Sequence, residues 1–136
     1  MPLLLHTCIT WLLTGLIWHV QLVRYPHFHQ VQRDRFTDHH FGHCLRISLQ
    51  VLPLLFAEAL TAAWLLYLGE HRPLFIASLA LMVLNWLSTA LFQAPLHTRL
   101  LRGYNATLIR HLILTNWLRT LGWTTRAILV AWLIAS

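Results

Sequence analysis

The chain has 136 residues, a length that suits one domain, and 57% of them are hydrophobic while 10% are charged. Soluble domains carry about 25% charged residues, so the composition excludes an ordinary water-soluble protein and points to one built for lipid. The formal net charge of +6 does not indicate nucleic acid, because the arginines stand between long apolar runs and form no track for phosphates.

A membrane span needs about 20 mostly apolar residues, and the sequence offers them over residues 3–24, 44–69, 73–94 and 111–134. The expected fold is all-α: a single domain forming an integral membrane four-helix bundle, with interfacial segments after spans 1 and 3. The first span has no basic stretch before it and no small-residue cleavage site, so it reads as a retained helix and not a signal peptide. Pro26 should close it. The second helix should begin ahead of its apolar run, with Asp34 or Asp38 as N-cap, and kink at Pro53. Pro73 suits the first turn of the third helix, and Pro95 should stop it. The fourth should start near Asn105 or His111. Cys8 and Cys44 fall near opposite ends of different helices, which predicts two free thiols.

The connections differ in character. Residues 69–72 make a tight turn, whereas residues 24–43 and 96–110 mix aromatic, basic and histidine residues. Phe28, Phe36, Phe41 and Tyr104 there are expected to anchor at lipid headgroups. Arg24, Arg33, Arg35, Arg46, Arg99, Arg102 and Arg110 gather on the side of the long connections, and only Arg72 lies opposite outside the spans. The positive-inside rule then puts the long connections in the cytoplasm and both termini outside, as in a bacterial-type inner membrane. A short echo links the halves: Tyr25-Pro26-His27 follows the first span and Ala94-Pro95-Leu96-His97 follows the third.

Histidine is the chemical signal. Of ten, eight lie toward the cytoplasmic end: His19, His27, His29, His39, His40, His43, His97 and His111. Imidazole is a metal ligand and a proton carrier near neutral pH. His27, His29, His39 and His40 fall in the long connection, where solvation accounts for them. His19, His43, His97 and His111 share a depth and are the expected metal ligands. Polar residues inside spans are costly and usually face the interior. Gln50, Asn116 and Arg119 form a layer beside that set, and Glu58 lies near mid-membrane with Arg119 or Arg126 as its natural partner. Glu58, Asn116 and Arg119 are the candidate catalytic groups. Trp18, Gln50 and Trp117 are candidates to hold a cofactor or substrate, with aromatic stacking from the tryptophans. Few carboxylates and many imidazoles suit a transition metal, iron or copper before zinc. Haem on paired histidines is the alternative cofactor.

The last third reads Ala94-Pro95-Leu96-His97, then His111-Leu112-Ile113-Leu114-Thr115-Asn116-Trp117-Leu118-Arg119-Thr120. It resembles the end of small four-span membrane proteins of the anthrone oxygenase-like group, whose pattern is matched by Pro95, Asn116, Trp117 and Arg119. The Tyr25-Pro26 exit and a glutamate in the second span are similar too. The histidine abundance departs from that pattern. The resemblance implies oxidation of a lipophilic aromatic or quinone-like molecule by oxygen. Two classes of function follow. One is a membrane oxidoreductase with a histidine-ligated metal at the cytoplasmic end. The other is a non-enzymatic small subunit that binds haem, quinone or pigment within a larger membrane complex or homo-oligomer.

Overall fold

The computed structural model describes residues 1–136 as four helical rods and no strand. They are α1 (Pro2–Gln30), α2 (Arg33–Tyr67), α3 (Pro73–Leu100) and α4 (Ala106–Ala135). The first three are long and apolar enough to cross a membrane. α4 is equally long but carries Arg110, Asn116, Arg119 and Arg126. Its polar load is explained by its position, for α4 packs extensively on both α1 and α3. α2 packs along α1, and α2 meets α3 mainly at its two ends, beside Ala94–Leu100 and where Leu65 and Phe75 share a core cluster. The rods therefore run α2, α1, α4, α3 around the bundle, with a seam between the last and the first. Their outer faces are apolar, with Leu12, Leu49, Phe56, Leu60 and Leu118 exposed, a surface compatible with lipid contact.

Pro26 and Pro95 do not stop their helices. Each follows a π-helical turn, Val20–Arg24 in α1 and Thr89–Gln93 in α3. The residue before each proline bonds five residues back, Tyr25 N–H to Val20 O and Ala94 N–H to Thr89 O. A proline lacks its own N–H and crowds the carbonyl four residues back. The wider π turn absorbs both defects, so the rods run on to Gln30 and Leu100. α2 also continues through Pro53 without interruption. Neither Asp34 nor Asp38 caps it: a 3₁₀ turn at Arg33–Arg35 leads into the α-helix at Phe36, and Asp38 sits in the first turn, where its charge complements the helix dipole. Asn105 does cap α4, its Oδ1 accepting from Leu108 N–H at 3.0 Å. Phe28 and Phe36 are fully buried and not at the periphery. They pack edge to face and join Val20, Tyr25, Leu100 and Leu112 in the apolar cluster at the histidine-rich end. Phe41 remains exposed.

At the opposite end the α2–α3 turn uses Gly69 at φ +87°, a conformation glycine adopts without strain. Arg72 beside it bonds Glu70, which holds that carboxyl below its usual range, and also donates to Leu133 O near the end of α4. Deeper in, Arg126 has no exposed surface. Its guanidinium donates to Glu58 Oε1 on α2 and to Ser78 O on α3, and it meets His6 Nε2 on α1 at 3.1 Å. Thr10 of α1 donates to the same Glu58 oxygen. An arginine cannot accept, so His6 Nε2 must, which puts the proton on Nδ1, donating to Thr61 Oγ1 at 2.8 Å. Of the two candidate partners for Glu58, Arg126 is the one that pairs.

Removing one member of a buried ion pair strands the other charge and costs about 3–5 kcal/mol. Glu58→Leu should destabilise the fold by that amount, and the double variant Glu58→Leu/Arg126→Met should recover part of it. Unfolding in detergent measures both. A single variant as stable as the native chain would show that Arg126 does not depend on Glu58.

Candidate metal centre

The π turn in α1 and the helix beyond it bring Tyr25 inward, and the continuation of α3 past Pro95 brings in His97. On α2, His40 and Cys44 stand one turn apart, and helix geometry aims residues four apart in one direction. The three converge: His40 Nε2 lies 3.2 Å from His97 Nδ1, and Cys44 Sγ lies 3.6 Å from each of those nitrogens. These donors form a group that could hold a metal ion. With metal–N near 2.0 Å and metal–S near 2.3 Å, tetrahedral angles separate two nitrogens by about 3.3 Å and a nitrogen from a sulfur by about 3.5 Å. The observed separations match those edges.

His97 carries a further mark of a ligand. Its other nitrogen, Nε2, lies 3.0 Å from the Tyr25 hydroxyl. A metal-bound imidazole has its remaining N–H free to donate to an oriented partner, and Tyr25 OH is placed to accept it. His40 is held by its neighbours instead, stacked on Phe36 with ring centroids 5.5 Å apart, while its Nδ1 is buried without a partner. The His40 and His97 rings are themselves nearly parallel at 5.0 Å. No macrocycle could pass between rings so close, so this pair does not suit bis-histidine haem.

The centre sits at the edge of a cavity of about 380 Å³. Cys44, His97, Tyr25, Gln93 and Arg119 supply its polar lining, and the rest is mostly apolar, including Leu13, Ile17, Leu55 and Trp123. That size falls within the range of about 300–1,000 Å³ for small-molecule sites. Arg119 is set from behind by a chain of amides. Gln21 of α1 donates to Ile113 O and accepts from Asn116 Nδ2 at 2.8 Å, and Asn116 Oδ1 accepts from Arg119 Nη1 at 3.1 Å. Arg119 lines the cavity, and its Nε is enclosed with no acceptor.

The expected ligand set divides. His43 and His97 come together, with ring centroids 6.0 Å apart, but the nitrogens of His43 stay outside the cluster. His43 Nε2 is buried and unpartnered, and its ring meets Tyr25 and Phe28 edge-on. His19 and His111 are exposed on the outside of the bundle. His19 is two residues from the buried Ile17 and Gln21, which turns it about 160° away from them. Gln50 is exposed, about 80° around α2 from Glu58. Trp18 and Trp117 pack edge to face with each other, Trp18 donates to Thr124, and neither lines the cavity. Of the three candidate catalytic groups, Arg119 lines the cavity and Asn116 positions it. Glu58 belongs to the separate network around Arg126. His40, Cys44 and Tyr25 are members of this candidate site that the sequence alone does not single out. The visible signal was His40-x-x-x-Cys44, a helical ligand pair of mixed type.

Comparison with protein-family models, curated proteins and solved structures found no match to this chain.

Loaded with cobalt(II), the purified protein should show a thiolate-to-metal charge-transfer band that Cys44→Ser abolishes. Tyr25→Phe should weaken metal binding by about 10- to 100-fold, the usual effect of losing an outer hydrogen-bond partner. His19→Ala and His111→Ala should leave affinity unchanged. Competition with a chromophoric chelator measures each. A band that survives Cys44→Ser would remove the thiolate from the site.

Proposed function

We propose that this chain is a four-span protein of a bacterial-type inner membrane, with both termini outside and the metal centre toward the cytoplasm. It oxidises a lipophilic aromatic or quinone-like molecule with the help of a metal held by His40, Cys44 and His97. The observation that supports this reading best is the set of three donor separations at tetrahedral edge lengths, beside an apolar cavity that contains Arg119. Three protein ligands leave one position for a substrate or water, the pattern of catalytic and not structural centres. A soft thiolate with two imidazoles favours copper over iron among redox-active metals. When bound, the metal supplies electron transfer and polarisation of a coordinated oxygen.

The chain's own groups have separate tasks. Arg119 presents its guanidinium at the cavity wall to an oxygen that becomes anionic, such as a phenolate or enolate, among mostly apolar neighbours. Gln21 and Asn116 fix the guanidinium so that it does not reorganise during the reaction. Trp123, Ile17 and Leu55 exclude water from the ring of the substrate. This is also the chemistry implied by the resemblance to anthrone oxygenases, whose oxidant is oxygen.

A second reading has one observation in its favour. α2 has α1 as its one extensive neighbour and exposes Leu49, Phe56 and Leu60, a face that another membrane subunit could cover. The chain would then be a non-enzymatic subunit that holds a metal or a quinone for a larger complex. It predicts co-purification with such a complex and no turnover by the isolated chain.

The test is oxygen consumption in lipid nanodiscs, using a lipid-soluble hydroquinone and protein loaded with copper or with iron. Turnover should require metal and vanish in His97→Ala. Arg119→Leu should lower kcat by about 10²-fold, the effect of deleting one preorganised donor. Native protein that takes up neither metal, or takes it up and turns nothing over, would sink the enzymatic reading.

A further inference from the structure

The cavity has one side that the bundle does not wall. α1 and α4 supply its back through Leu13, Ile17, Arg119 and Trp123. On α2, Ser48 and Leu52 line the cavity and are also exposed on the outside of the bundle. On α3 and just past its end, Ala94, Thr98 and Leu101 do the same. A residue that lines a cavity and faces outward marks the rim of its mouth. The mouth therefore lies between α2 and α3, the one pair of neighbouring rods that does not pack along its length.

The position of this rim matters. Ser48 and Leu52 lie well inside α2, and Ala94 lies inside α3, both rods apolar enough to cross a membrane. The opening is thus sideways, between helices, and not at the end of the bundle. Away from that rim the cavity is lined by its strongest polar groups, Arg119, Tyr25 and His97. The lip carries no charge, only Leu52, Ala94 and Leu101 with the hydroxyls of Ser48 and Thr98, and the one cation of the lining is Arg119.

We infer that the ligand enters sideways from the lipid phase through the α2–α3 seam, its oxygen-bearing head leading. Its head is planar and bears a carbonyl or phenolate oxygen that comes to rest against Arg119. Its alkyl or isoprenoid tail stays in the seam, between Leu52 and Leu101. The inference rests on reading the cavity as the site of a lipophilic oxygen-bearing molecule, and it adds the route and the orientation.

The test uses full-length protein in nanodiscs, a short-tailed benzoquinone as probe and stopped-flow quenching of tryptophan fluorescence. Ser48→Phe/Thr98→Phe narrows the rim and should slow association by about tenfold, with the metal content unchanged. Ser48→Ala/Thr98→Ala widens the rim and should bind at least as fast as the native chain. Gly15→Phe is the control, since Gly15 lies on the exposed side of α1 with nothing within 4 Å of an added Cβ, and it should leave the rate unchanged. If the native protein does not bind the probe, the site reading falls and the route falls with it. If the native protein binds and the phenylalanine pair is no slower than the control, the route alone is wrong. Equal slowing by the alanine pair would mean disturbed packing and not obstruction, and would also overturn the seam.

Discussion

Every rod of the bundle is tied to one buried guanidinium. Arg126 on α4 takes a carboxylate from α2, a backbone carbonyl from α3 and an imidazole from α1. A permanent cation with no exposed surface leaves the fold little choice, because each of its donors needs an acceptor at a fixed direction. The interaction sets rotation and depth together for all four helices. Apolar packing alone would not, since leucine-rich faces tolerate sliding. Close approach reinforces the register on one side: Gly122 of α4 faces the Asn85 side chain of α3 so tightly that a methyl group there would collide with it.

Much of this architecture was legible in the sequence. Four helices, three of them apolar enough to cross a membrane, the Asn105 start and the pairing of Glu58 with an arginine of the last helix all follow from composition and the cost of a lone charge in an apolar interior. The candidate metal site was only partly legible. Depth along the helices marks His97, but it marks His19 and His111 equally, and those face outward. Depth follows from a rise of about 1.5 Å per residue, whereas direction around the axis depends on which neighbours a helix has. His40 was assigned to a solvated connection because that stretch looks polar. The α-helix in fact begins at Phe36, and Phe28 and Phe36 bury the ring from two sides. Cys44 has no disulfide partner within reach in the sequence pattern, which hides its other use. A thiol one turn from a histidine is a ligand pair, and only the approach of α3 shows it.

The two prolines carry a related lesson. A proline after an apolar run reads as a stop when the helix is considered alone. Here each is preceded by a π turn, and each rod continues past it, carrying Tyr25 in one case and His97 in the other into the interior. The extra residue in the turn rotates everything downstream relative to a regular helix. Those two side chains meet each other at 3.0 Å because both rods contain the same irregularity. The repeated Tyr25-Pro26 and Ala94-Pro95 pattern is therefore a pair of matched geometric devices, one on each side of the centre.

The donor set also has a consequence for assembly. His40 and Cys44 precede His97 by more than fifty residues, so a metal held by all three closes a long loop that no local structure closes. It would join the first hairpin to the second along the side where they otherwise scarcely meet. A nascent chain that has not yet delivered residue 97 offers only a mixed pair from one helix, a far weaker ligand. Tight capture of the ion thus reports that both halves have been made and have found each other, and the binding free energy is added to the finished bundle alone.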